Sequence, residues 1–147
     1  MSITKIQNAA AVIASLFILL FLYTAISKLS ERHHFATIMG RSPLLKNLNV
    51  FLSWAIPVSE LIVAVLLFFP PSRHWGLFFS FLLMTVFTIY IGYMLATASY
   101  LPCSCGGIFR KFSWKSHLFL NIFLSILSFA GWRLEKRFNA LLINRRS

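Results

Sequence analysis

Cys103 and Cys105 are the only cysteines in this chain of 147 residues, and they stand one residue apart in Pro102-Cys103-Ser104-Cys105-Gly106-Gly107. A Cys-x-Cys pair can close a small disulfide ring whose strain makes it easier to reduce than a relaxed structural bond. That spacing suits exchange better than stapling. Arg110, Lys111 and Lys115 follow closely, and positive charge beside a helix start near Ser113 favours the thiolate, the nucleophilic form. Pro102 and the two glycines allow a tight, exposed turn around the sulfurs. The expected roles are Cys103 as attacking sulfur and Cys105 as resolving sulfur. The competing account is two ordinary buried cysteines, or a structural turn without chemistry.

Glu60 is the second candidate, because it is an ionisable residue in the middle of an apolar run. Such a group is costly in lipid and faces a bundle interior, a cavity or a partner. It could take up a proton during thiol exchange or hold a quinone-like ligand. A structural role, hydrogen bonding a neighbouring helix or the carbonyl freed by Pro57, weighs equally. Lys28 closes the preceding apolar run. Helical side chains lean towards their amino terminus, so Lys28 and Glu60 can approach below the surface, although Lys28 is expected mainly to snorkel to headgroups. His33, His34 and His117 lack finger-like spacing with the cysteines, and no metal site is expected.

These residues need elements to position them, and the composition says which. Hydrophobic residues make up 59% of the chain and mean hydropathy is +0.78, more apolar surface than a soluble domain can cover. Four stretches, about 6–27, 47–69, 75–99 and 112–132, approach the ~20 residues that cross ~30 Å of hydrocarbon. Their backbone groups must be satisfied internally, which makes them helices. The net charge of +11 comes from basic residues flanking these runs, so membrane lipids and not nucleic acid are the expected contact. The expected fold is all-α, an integral membrane four-helix bundle forming a single domain over 1–147.

Between spans one and two, Leu29, Phe35, Ile38 and Met39 alternate with Arg32, His33 and His34, which predicts a short interfacial helix ended by Gly40. Ser42-Pro43 reads as the cap and first residue of the next helix. Pro57 should kink that helix and Pro70-Pro71 should stop it. Seven basic residues fall on each side of the membrane, so a simple positive-inside count is silent. The densest cluster is the tail, with Arg133, Lys136, Arg137, Arg145 and Arg146. This favours cytoplasmic termini in a bacterial inner membrane and a periplasmic cysteine loop, where disulfide chemistry is permitted.

Lys28 at the close of span one, Pro57-Val58-Ser59-Glu60 in span two and Pro102-Cys103-Ser104-Cys105-Gly106-Gly107 before span four resemble the MauE branch of the DoxX-like membrane proteins. The likeness extends over nearly the whole chain. It implies a redox-associated membrane protein, similar to those implicated in maturing a disulfide-rich dehydrogenase subunit in methylamine utilisation, with Cys103 and Cys105 as the positions carried over. The fold also resembles four-helix thiol oxidoreductases such as the vitamin K epoxide reductase group. Those enzymes relay electrons through two cysteine pairs, and this chain has one. Its circuit would finish on a quinone-like cofactor, a partner's cysteines or another subunit.

The leading expectation is thiol–disulfide exchange with a thioredoxin-like or disulfide-bearing extracytoplasmic protein. Two alternatives stand beside it: a non-catalytic accessory subunit of a larger membrane complex, and a small carrier whose pocket, lined by Glu60 and Lys28, holds a lipid or quinone.

Overall fold

The computed structural model describes residues 2–97 and 114–146. Cys103 and Cys105 lie outside the described residues. Five α-helices are described: α1 (Ile3–Ser30), α2 (Arg32–Gly40), α3 (Asn49–Phe68), α4 (Arg73–Thr97) and α5 (Trp114–Arg146), with a 3-10 turn at Pro70–Ser72 between α3 and α4. Four of them are long and apolar enough to cross a membrane. The protein is an all-α integral membrane bundle.

The helices form a ring in which α1 packs on α3 and α5, and α4 on α3 and α5, leaving α1 and α4 nearly diagonal. The inward faces follow from the spacing of buried residues. On α1 these are Ile6, Ala10, Ala14, Phe17, Phe21, Ala25 and Lys28, alternating steps of three and four that mark one seam. Three alanines in that seam let neighbouring backbones approach closely, which is how helices associate where lipid offers no hydrophobic drive. On α3 the buried positions are Ser53, Pro57, Glu60, Val63, Ala64 and Leu67. The α1 seam ends on Lys28, while the α3 seam carries Glu60 within it, between Pro57 and Val63. Phe17, Phe21, Ala64, Leu67, Leu77 and Met84 build the shared core.

The α3–α4 hairpin is held tightly. Pro70 and Pro71 end α3 as the sequence predicts, and the Ser72 hydroxyl donates to the Leu66 and Phe69 carbonyls (2.8 and 3.2 Å). Gly76, the fourth residue of α4, faces α3 so closely that a Cβ there would lie 2.8 Å from the Leu67 backbone nitrogen. Only glycine allows that approach.

One local expectation needs correction. Ser42 does not cap a helix: residues 41–48 form successive turns, with Leu45 N–H donating to Ser42 C=O (3.2 Å) and Leu48 N–H to Leu45 C=O (3.0 Å), and α3 starts only at Asn49. Ser42 is instead buried with its hydroxyl 3.8 Å from the Met94 sulfur, tying the connector to α4. Gly40 is the last residue of α2, as the sequence predicts, and Arg41 follows it in right-handed geometry (φ −81°, ψ −15°). Helix α5 reaches beyond the apolar run and continues, over 33 residues in all, through the basic tail. There Gly131 and Glu135 are buried and Phe138 is half-buried, so the inward face outlasts the apolar run. Helix α3 runs unbroken through Pro57.

Helix α2 lies on α3 as a lateral brace. Asn49 Nδ2 donates to the Ala36 carbonyl (3.2 Å), and the Arg32 guanidinium sits 4.8 Å from the Trp54 ring centre. Phe35 and Met39 turn inward.

Candidate functional site

Lys28 and Glu60 meet inside the bundle. Lys28 Nζ donates to Glu60 Oε1 at 2.5 Å, with the two side chains only 7% and 1% exposed. Lys28 does not snorkel outward. The physical reason is its place on α1: it is the next step of the buried seam after Phe21 and Ala25, so its helix face directs it at α3. Phe87 of α4 completes the enclosure, with its ring centre 5.6 Å from Nζ.

The pair leaves hydrogen-bonding capacity unspent. An ammonium carries three N–H donors, and Glu60 Oε2 is buried without a donor in hydrogen-bonding geometry among the described residues. Thr24 stands beside the carboxylate, but its hydroxyl donates to the Phe21 carbonyl (3.3 Å). A buried acceptor left unmade costs free energy comparable to a lost hydrogen bond. An ionisable group with spare capacity inside a membrane bundle marks a candidate functional site.

A cavity of about 290 Å³ opens beside the pair. Its walls come from every described helix: Lys28 and Thr24 from α1, Phe35 and Met39 from α2, Ile56 and Glu60 from α3, Met84 and Phe87 from α4, Leu120 and Asn121 from α5. Tyr90 near the end of α4 and His117 near the start of α5 also line it. The cavity therefore occupies the half of the bundle where α1 ends, α4 ends and α5 begins. Asn121 Nδ2 donates to the His117 carbonyl (2.9 Å), fixing the amide against the helix.

Two of the three histidines weighed as metal ligands, His33 and His34, are exposed on α2, whereas His117 lines the cavity. The aromatic and thioether walls, Phe35, Met39, Met84 and Phe87, escape sequence reading because nothing distinguishes them from other core residues.

A second buried acid lies at the other end of the bundle. Glu135 of α5 is 2% exposed, under the electrostatic attraction of Arg73 and His74 at the start of α4. Glu135 Oε2, Arg73 Nε and His74 Nδ1 are buried there without hydrogen-bond partners among the described residues. Trp132 and Phe78 pack beside them with ring centres 5.7 Å apart. The signal for this cluster was present in the topology, since a hairpin starting α4 and a helix leaving span four must share one membrane face.

Residues 6–134 match the family model described as Methylamine utilisation protein MauE. The match is to MauE itself, and the wider DoxX-like grouping rests on the resemblance of motifs alone. No curated protein and no solved structure matches the chain.

Proposed function

The chain belongs to the MauE family, and on that premise we propose that it is a redox module of a bacterial inner membrane, exchanging disulfides through Cys103 and Cys105 with an extracytoplasmic protein. Its role is maturation of the MauE type, the forming or reshuffling of disulfides in an exported partner. The observation that carries this reading is the buried Lys28–Glu60 pair on a cavity at the bundle end where α4 stops and α5 starts. The two cysteines fall in the sequence between those same helix ends. The stretch of chain that carries the thiol pair thus joins the two helix ends that flank the acid–base pair and the ligand-sized space.

The exchange balances in two steps. The Cys103 thiolate attacks a partner disulfide, forming a mixed disulfide and releasing one partner thiolate; the Cys105 thiolate then attacks Cys103, closing the Cys103–Cys105 bond and releasing the second. Two electrons pass to the partner, whose thiolates take up two protons. The same steps reversed oxidise a partner dithiol. Glu60 and Lys28 act as local proton acceptor and donor, with their charges balanced against each other.

The test is capture of the partner. A Cys105→Ser variant keeps the attacking sulfur and loses the resolving one, so it should accumulate a reducible cross-link to an extracytoplasmic protein. The Cys103→Ser, Cys105→Ser variant should accumulate none. A Cys105→Ser variant that traps nothing under oxidising conditions, while remaining folded in the membrane, would favour an accessory subunit instead.

A further inference from the structure

We propose that the cavity beside Lys28 and Glu60 is a binding site for a membrane quinone, the neutral two-electron carrier dissolved in the lipid. Three features select this chemistry. The Lys28 and Glu60 charges on the wall balance each other, with Tyr90, His117 and Asn121 beside them, and adding a charged ligand would leave a net charge in a low-dielectric interior, which is costly. A neutral head is therefore preferred to a fatty carboxylate or a phosphate.

The spare valences of the pair match both redox states of such a head. The remaining ammonium protons of Lys28 suit a carbonyl oxygen, and the buried, unpartnered Glu60 Oε2 suits a hydroxyl donor. A quinone supplies the first and its quinol the second, at the same ring position. Phe87 and Met84 offer the flat, polarisable walls on which a conjugated ring stacks.

Size and access agree with this occupant. A cavity of about 290 Å³ lies at the lower end of small-molecule sites, which begin near ~300 Å³, enough for a substituted six-membered ring and the root of its tail. Val86 lines the cavity and is also 52% exposed on the outer surface of α4. The cavity thus reaches the lipid-facing surface of that helix, where an isoprenoid or alkyl tail can remain in the bilayer.

Binding at this site stands without the cysteines; the electron route rests on the function proposed above. With both, the direction of flow follows. The Cys103 and Cys105 thiols give up two electrons and two protons to form their disulfide, and the quinone takes up both to become the quinol. The resulting disulfide then oxidises a partner dithiol.

The experiment is equilibrium binding of decylubiquinone to purified full-length protein in lipid nanodiscs, with empty nanodiscs of the same lipid as the partition blank. Saturable binding above the blank is expected. Replacing the pair by apolar residues, Lys28→Met with Glu60→Leu, keeps the interior uncharged and should weaken binding at least ~10-fold, the size of one lost hydrogen bond to a charged group. Leu120→Trp should weaken binding by filling the space, and the Cys103→Ser, Cys105→Ser variant should bind like the parent. That last variant separates failure of the site from failure of the thiol reading. Absence of saturable binding, equal affinity in the folded Lys28→Met, Glu60→Leu variant, or full displacement by oleate or phospholipid at equal concentration would each overturn the proposal.

Discussion

Lys28 and Glu60, thirty-two positions apart in the chain, join by a 2.5 Å hydrogen bond with neither side chain open to the outside. Removing one member strands a charge, whereas removing both leaves packing that apolar side chains can fill. Breaking a buried pair from one side costs ~3–5 kcal/mol, and replacing both ends is often close to neutral. Glu60→Leu alone and Lys28→Met alone should therefore lower thermal stability in detergent sharply. The combined variant should recover most of the loss, and a double-mutant cycle on the midpoints measures it.

The α3–α4 hairpin gives a purely structural prediction. Gly76→Ala puts a Cβ 2.8 Å from the Leu67 backbone nitrogen, and backbone cannot rotate away as a side chain can. The substitution should destabilise by ~1–3 kcal/mol, as overpacking does. Gly92→Ala is the control, because a Cβ there meets nothing within 4 Å among the described residues; it should be neutral or stabilise by up to ~1 kcal/mol through helix propensity. Unfolding midpoints of the two variants, measured side by side, check the difference.

Much of this was legible in the residues. The four spans follow from apolar runs, and the hairpin from Pro70-Pro71. Even the Lys28–Glu60 meeting follows in outline from antiparallel helices whose side chains lean towards their amino termini. Less legible was that Lys28 would be buried. The steps from Phe21 to Ala25 to Lys28 contain that information, but snorkelling is the usual fate of a lysine at a span end, and only the facing Glu60 reverses it. Glu135 was hidden for the opposite reason: the basic residues around it make the tail look solvated, while its own position continues the inward face of α5. The start of α3 was misplaced because Ser42-Pro43 has helix-start chemistry but is taken up by turns and by the Met94 contact.

Glu135 supplies a third prediction. Glu135→Ala would remove the buried carboxylate that attracts Arg73 and His74 and leave a space on the inward face of α5, and stability should fall by ~1–3 kcal/mol. Glu135→Gln, which keeps an acceptor of nearly the same shape, should lose less. Thermal midpoints of the two purified variants decide the order.

Orientation is open to direct chemistry. The proposed topology, with a basic cytoplasmic tail and an extracytoplasmic cysteine segment, predicts that a membrane-impermeant maleimide labels Cys103 and Cys105 in intact, reduced cells. A cysteine placed at exposed Arg137, in a Cys103→Ser, Cys105→Ser background, should label only after permeabilisation. The opposite pattern would invert the protein in the membrane.

The most direct measurement is the redox state of Cys103 and Cys105 in native membranes, read by mass-tagged alkylation after acid quenching. Two populations, dithiol and disulfide, are predicted, with the balance moving to disulfide when respiration is active and to dithiol when quinone reoxidation is blocked. Two thiols that alkylate fully under every condition, in protein that is correctly inserted, would contradict the account.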